Sequence, residues 1–159
     1  MSMTGNYVAV DNDTLQQVMD NTIDLMDIDP ELYPTLDIDQ SWEAIHFLLC
    51  GTLEDGEPPL GYVVPLHEDN YLDVEMEYGA YHLDNGQVKE ALSGLRTVTE
   101  EELRARFDIK TFVENDVYPV VEDEDGEELF NYLYDHLQSI QAFYGEVADS
   151  GRGVIFFVS

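Results

Sequence analysis

His46 and Cys50 lie one helical turn apart in the run Leu36-Asp-Ile-Asp-Gln-Ser-Trp-Glu-Ala-Ile-His-Phe-Leu-Leu-Cys-Gly51. At that spacing their side chains can meet, and a Cys/His pair is the minimal nucleophile and base. Their neighbours argue for packing instead. A free cysteine inside an apolar helix behaves as a small hydrophobe with a raised thiol pKa, which makes it inert. His46 has no partner histidine at metal-ligand spacing, since His67, His82 and His136 are scattered. The expectation is a core histidine with a satisfied hydrogen bond, and no metal or cofactor is implied.

Other catalytic signatures fail on spacing. In Asp123-Glu-Asp125-Gly126 the glycine comes two places too early for a calcium loop. The chain has no phosphate-cradling glycine loop, no Gly-x-Ser-x-Gly elbow and no His-Glu-x-x-His helix. A carboxylate pair for glycoside hydrolysis could be drawn from any two of 35 acids, which leaves that proposal without content. What survives is a candidate ligand site. Trp42, His46, Tyr78 and Tyr118, with Asp37 or Asp39, supply aromatic walls and a few polar groups beside the Glu54–Pro59 loop. Core packing and helix capping would use the same residue types.

Charge narrows the partners. Against 6 Lys and Arg stand 35 Asp and Glu, for a formal charge of −29. Phosphate backbones and anionic membrane surfaces are repelled, so neither nucleic acid nor a membrane is an expected partner. With 44% hydrophobic and 11% aromatic residues the acidity decorates a folded chain rather than a disordered tail. It serves solubility, or it attracts a basic partner. The lone cysteine allows no internal disulfide, the amino terminus has no basic stretch ahead of its apolar piece, and no segment reaches ~20 apolar residues. These features point to the cytoplasm.

The elements that must position these residues follow from periodicity. Length suits a single domain spanning residues 1–159. Tyr7–Val10 reads as a strand. Asp13 with Gln16 resembles a capping box for a helix carrying Leu15, Val18, Met19, Thr22, Ile23 and Met26 and ending near Asp27. Asp37 or Asp39 is expected to cap the central helix, and Gly51 to stop it. Gly61–Val64 reads as a short strand. Leu72, Val74 and Met76 alternate with Asp73, Glu75 and Glu77 as in a half-buried strand, which Tyr78-Gly-Ala-Tyr81 then leaves. Asp84/Gln87 and Thr99/Glu102 introduce two short helices, and Ile109–Val117 gives another helical piece before an extended Tyr118-Pro119. The longest helix follows Glu122-Asp-Glu-Asp-Gly-Glu-Glu128, with Leu129, Leu133, Leu137, Ile140, Tyr144 and Val147 as its apolar stripe. Gly153–Val158 is continuously apolar, so it belongs inside a sheet covered on both faces.

The whole chain resembles the YfbM-like family of small bacterial proteins. The resemblance is carried by Leu36–Thr52, with Trp42, His46, Phe47, Leu48 and Gly51 at their spacing, and by Gly56-Glu-Pro-Pro-Leu60, Tyr78-Gly79, Leu103-Arg-Ala-Arg-Phe-Asp108, Tyr118-Pro119 and the final helix and strand. It implies a mixed α/β domain with helices packed around a sheet. It brings no catalytic residues, and it implies threonine in relatives at the position of Cys50. Together these readings favour a non-enzymatic acidic protein that binds a basic protein, as inhibitor or immunity proteins do. The alternative is a small-molecule-binding protein or enzyme with a cleft near Trp42 and His46.

Overall fold

The computed structural model describes residues 3–74 and 76–159. Its elements in chain order are β1 (Gly5–Val10), α1 (Asn12–Met19), β2 (Thr35–Asp37), α2 (Trp42–Cys50), β3 (Tyr71–Leu72), β4 (Ala80–Leu83), α3 (Asn85–Thr97), α4 (Glu100–Arg106), α5 (Ile109–Glu114), α6 (Gly126–Asp149) and β5 (Gly153–Val158). The strands form one mixed-in-sequence, wholly antiparallel sheet in the order β2-β1-β5-β4-β3. The class is therefore mixed α/β, and the apolar terminal strand β5 lies at the sheet's centre.

β5 pairs along its whole length with β1, from Gly5 opposite Val158 to Val10 opposite Gly153. This register sorts side chains by face, because successive residues of a strand point to opposite sides. Tyr7, Ala9, Val154, Phe156, Val158 and Leu83 share the main core with residues of α2 through α6. Val8, Val10, Ile155, Ala80 and Leu72 face the other way, under α1, Leu25 and a partly buried fringe of Ile23, Ile28, Val74 and Met76. One face carries five helices; the other carries α1 and irregular chain.

The long helix α6 binds the first face together. Asp125 caps it by accepting the Glu127 and Glu128 N–H groups at 2.9 and 3.2 Å, and all six expected stripe residues are buried. The Asp84/Gln87 box is present in full at the start of α3, and Thr99 accepts the Glu102 N–H at the start of α4.

Several sequence expectations change. α1 stops at Met19 instead of near Asp27, its N-cap is Asp11 rather than Asp13, and Gln16 instead bonds Asp20 at 2.9 Å. Past Met19 the apolar spacing persists only because Leu25, in a 3-10 turn capped by Asp24, still reaches the sheet; Met26 turns outward. Gly61–Val64 is buried but not a strand, because side chains take its carbonyls. Tyr144 donates to Tyr62 and Val63 at 3.0 and 2.9 Å, Tyr7 to Val63 at 2.6 Å, and His46 to Val64 at 2.9 Å. The expected strand through Met76 ends at Leu72; beyond it, bonds from Val74 to Leu72 and from Met76 to Val74 curl the backbone in two-residue steps while Val74 and Met76 still pack inward. Glu75 lies outside the described residues. β2 and β4 are elements that the sequence pattern did not reveal.

Candidate functional site

α2 presents the candidate residues from its first turn onward. Ahead of it Asp37, in edge strand β2, accepts the Asp39 N–H at 2.7 Å and so holds Asp39 at φ 53°, a left-handed conformation that Asp tolerates better than most residues. Neither carboxylate caps α2, as either was expected to; the N-cap is Ser41, whose hydroxyl donates to the Ile38 carbonyl at 2.6 Å. Asp39 accepts instead from the Tyr132 hydroxyl at 2.8 Å. Gly51 does end the helix, at φ 75°.

Trp42 and Tyr118 are brought together from distant parts of the chain, with ring centroids 6.1 Å apart. Both clasp Met3: the indole N–H donates to its carbonyl and its N–H donates to the Tyr118 oxygen, each at 2.9 Å. Glu43, on the next position of α2, accepts the Tyr118 N–H at 2.9 Å. Burial raises the Glu43 pKa, opposed by that bond and reinforced by Glu54. The polar edges of both aromatic residues are therefore occupied by backbone of the same chain.

His46 is sealed. It is fully buried, donates from Nδ1 to the Val64 carbonyl at 2.9 Å, and accepts the Gly56 N–H at Nε2 at 3.1 Å. This pair of bonds fixes the neutral tautomer, because Nε2 must offer its lone pair. Burial lowers the His46 pKa, with the Val64 bond and Asp55 opposing and His67 reinforcing. The imidazole thus pins the loop after α2 onto the helix. No side chain fits at position 56, where a Cβ would strike Cys50 and come within 2.9 Å of His46 Nε2; Gly61 is closed off by the Gly56 carbonyl, and a Cβ on Gly94 would meet Pro59 at 2.6 Å.

Cys50 is half-buried, and burial pushes its thiol up to about 11 against the opposing pull of Arg106. Such a thiol is protonated near neutrality and a poor nucleophile. It edges a depression of about 570 Å³ that Gly56–Leu60 also lines, on the loop expected to rim a site.

The remaining candidates diverge. Tyr78 packs against the main core after β3. Asp39 lines a concavity of about 340 Å³ with Pro119, Glu124, Asp125, Glu128 and Tyr132. Within it, Glu124 has a buried carboxylate oxygen without a partner, and burial, then Asp123, raises its pKa. Asp37 lies on the opposite side of the sheet, in a groove with Leu25, Met26, Met76 and Phe157. The sequence reading missed both the α6 contribution to the first concavity and the entire groove. Met26 was the available signal for the groove, as a large apolar residue that a helix ending at Met19 cannot bury.

Among the described residues, no group of His, Cys, Asp and Glu is arranged to hold a metal ion, and no helix is long and apolar enough to cross a membrane. Fold and site together define a mixed α/β protein with an antiparallel sheet, a histidine-pinned loop and a strongly acidic surface. Residues 1–157 match the family described as a domain of unknown function, DUF1877, and the chain belongs to that family. It is 26% identical to Protein YfbM of Escherichia coli (strain K12) over 162 residues, covering 90% of each chain. The crystal structure of YfbM from Escherichia coli superposes with a TM-score of 0.77 at 22% identity, covering 98% of this chain and 99% of that one. At that identity the superposition establishes the shared fold.

Proposed function

We propose that this protein acts by binding a basic protein through its acidic surface, in the manner of an inhibitor or immunity protein, rather than by catalysis. The observation that supports this reading is the disposition of its few cations. Arg106 and Arg152 donate to the backbone carbonyls of Leu49 and Ala9, each at 3.3 Å, rather than to carboxylates. Arg104 lies 4.3 Å over the Phe130 ring and pairs with Glu100 and Glu127. Among the described residues these are the ion pairs made by Lys or Arg, so most of the 35 carboxylates keep their charge unneutralised at the surface. Such a field accelerates encounter with a positive partner and weakens with salt.

Affinity capture from a bacterial lysate tests this. Basic partners should be retained at low salt and released as ionic strength rises; capture of no partner, or of partners indifferent to salt, contradicts the reading. A second reading, a small-molecule site at the Trp42 end of α2, is supported by the concavity where Asp39 meets Tyr132 and Pro119. Tyr132→Phe would then reduce ligand-induced stabilisation while leaving salt-dependent capture intact.

A further inference from the structure

The sheet face turned away from α2–α6 is incompletely covered. Between β1, β2 and the chain after α1 lies a groove of about 350 Å³. Buried Val8 and Leu25, the partly buried Ile28, Met76 and Phe157, and the exposed Met26 line it. Met26 is 75% exposed and the nearby Leu32 is 72% exposed, so folding leaves apolar surface here in water. The volume is at the small end of the range for binding pockets, enough for one or two large side chains rather than an extended ligand.

The chain bordering the groove carries acids: Asp37 lines it, and Asp24, Asp27, Asp29 and Glu31 alternate in sequence with the lining residues Leu25, Met26, Ile28 and Pro30. Asp24, Asp27, Asp29, Glu31 and Asp37 are all exposed, and none is in an ion pair. Asp24, Asp29 and Asp37 each accept a backbone N–H two residues on, at 3.0, 2.9 and 2.7 Å, which fixes where these carboxylates stand while leaving their charge uncancelled. Fatty acids, anionic lipid surfaces and acidic peptides are repelled by such a border. A purely hydrophilic cation would leave the apolar lining unused. The two methionine side chains in its lining adapt to differently shaped apolar groups.

We infer that this groove is the docking site for a basic amphipathic segment of a partner protein, which inserts an apolar side chain against Met26 and Met76 while flanking Lys or Arg residues meet the bordering carboxylates. The inference rests on the basic-partner reading and adds where, and by which chemistry, the partner is held. Of the candidate residues, Asp37 then belongs to the binding surface, whereas His46 is a structural pin.

The test uses three synthetic peptides of equal length, Leu/Lys amphipathic, Ser/Lys and Leu/Glu amphipathic, titrated into the full chain carrying 13C-methyl methionine. The Leu/Lys peptide should bind at least about tenfold more tightly than Ser/Lys. It should shift the Met26 and Met76 methyl signals while leaving that of Met3, clasped by Trp42 and Tyr118 on the other face, in place. Thr35→Trp, which fills the groove from an exposed position, should remove the tenfold advantage; Asp27→Lys should weaken the Leu/Lys peptide without unfolding the chain. Equal binding of Leu/Lys and Ser/Lys with unmoved Met26 and Met76 overturns the groove assignment and leaves the basic-partner reading standing. Shifts with Leu/Glu as large as those with Leu/Lys, or Leu/Lys binding indifferent to Thr35→Trp, also overturn it. Failure of both cationic peptides to bind at low salt overturns the basic-partner reading and this inference with it.

Discussion

The two faces of the sheet are finished differently. On the helical face Tyr7, Tyr144, Phe156 and Leu133 have at most 1% of their surface exposed, and the side chains of His46, Tyr7 and Tyr144 satisfy the carbonyls of an irregular buried segment. On the other face a short α1 and a chain of turns cover Val8 and Ile155 but leave Met26 outside and a groove beside it. Dense packing with the irregular segment's carbonyls paired makes a rigid scaffold, whereas surface that folding leaves uncovered is available to a partner. The residues whose types look most chemical, His46 and Cys50, belong to the scaffold.

Substitutions should separate the faces by their cost. Leu133→Ala, at a position with no exposed surface, should destabilise by about 4 kcal/mol in urea titration, from lost burial plus the cavity left among α6, its neighbours and the sheet. His46→Ala should cost about 3 kcal/mol, because it strands the Gly56 N–H and the Val64 carbonyl in the interior. It should also change the pH dependence. The unfolded imidazole takes up a proton near pH ~6.5 that the buried, neutral native ring refuses, so its contribution is complete above that pH. That contribution is lost as pH falls through that value toward the lowered native pKa. His82 is shifted downward by burial as well, so the informative quantity is wild type minus His46→Ala across this window.

Gly56→Ala should cost about 2 kcal/mol through overlap with Cys50 and His46, read by thermal unfolding. The Cys50 thiol should react with iodoacetamide at pH 8 about two orders of magnitude more slowly than a free cysteine, given its pKa of about 11. Smallest of all, Met26→Ala should change stability by less than about 0.5 kcal/mol, since the side chain is 75% exposed. A large loss there would mean that the thinly covered face is part of the scaffold, and the contrast between faces would collapse.

The sequence was most legible where local pattern and tertiary role agree. β5 announces itself by unbroken apolar residues because both its faces are covered, α6 by a stripe that recurs every three or four residues, and α3 by a reciprocal Asp84/Gln87 cap. It was least legible where side chains replace backbone partners. Gly61–Val64 has strand composition, but its carbonyls are claimed by tyrosines and a histidine from far along the chain. β4 has no clean apolar alternation, because Ala80 and His82 lie on one face and Tyr81 and Leu83 on the other, each side partly covered. Of the candidate site, the pairing of Trp42 with Tyr118 follows from residue type but not from spacing. The groove is assembled from the chain after α1, three strands and Met76, and no single stretch encodes it.

Amide hydrogen exchange with and without the Leu/Lys peptide tests the division between faces most directly. In the free chain, α2, α6 and β5 should exchange only through global unfolding, while residues 20–34, whose N–H groups are held only by local turn bonds, exchange sooner. Added peptide should protect residues 23–37 and leave the loop at residues 51–66 unchanged. Protection of that loop, or of the Trp42 end of α2, with none at 23–37 would place the binding surface on the helical face and contradict the account.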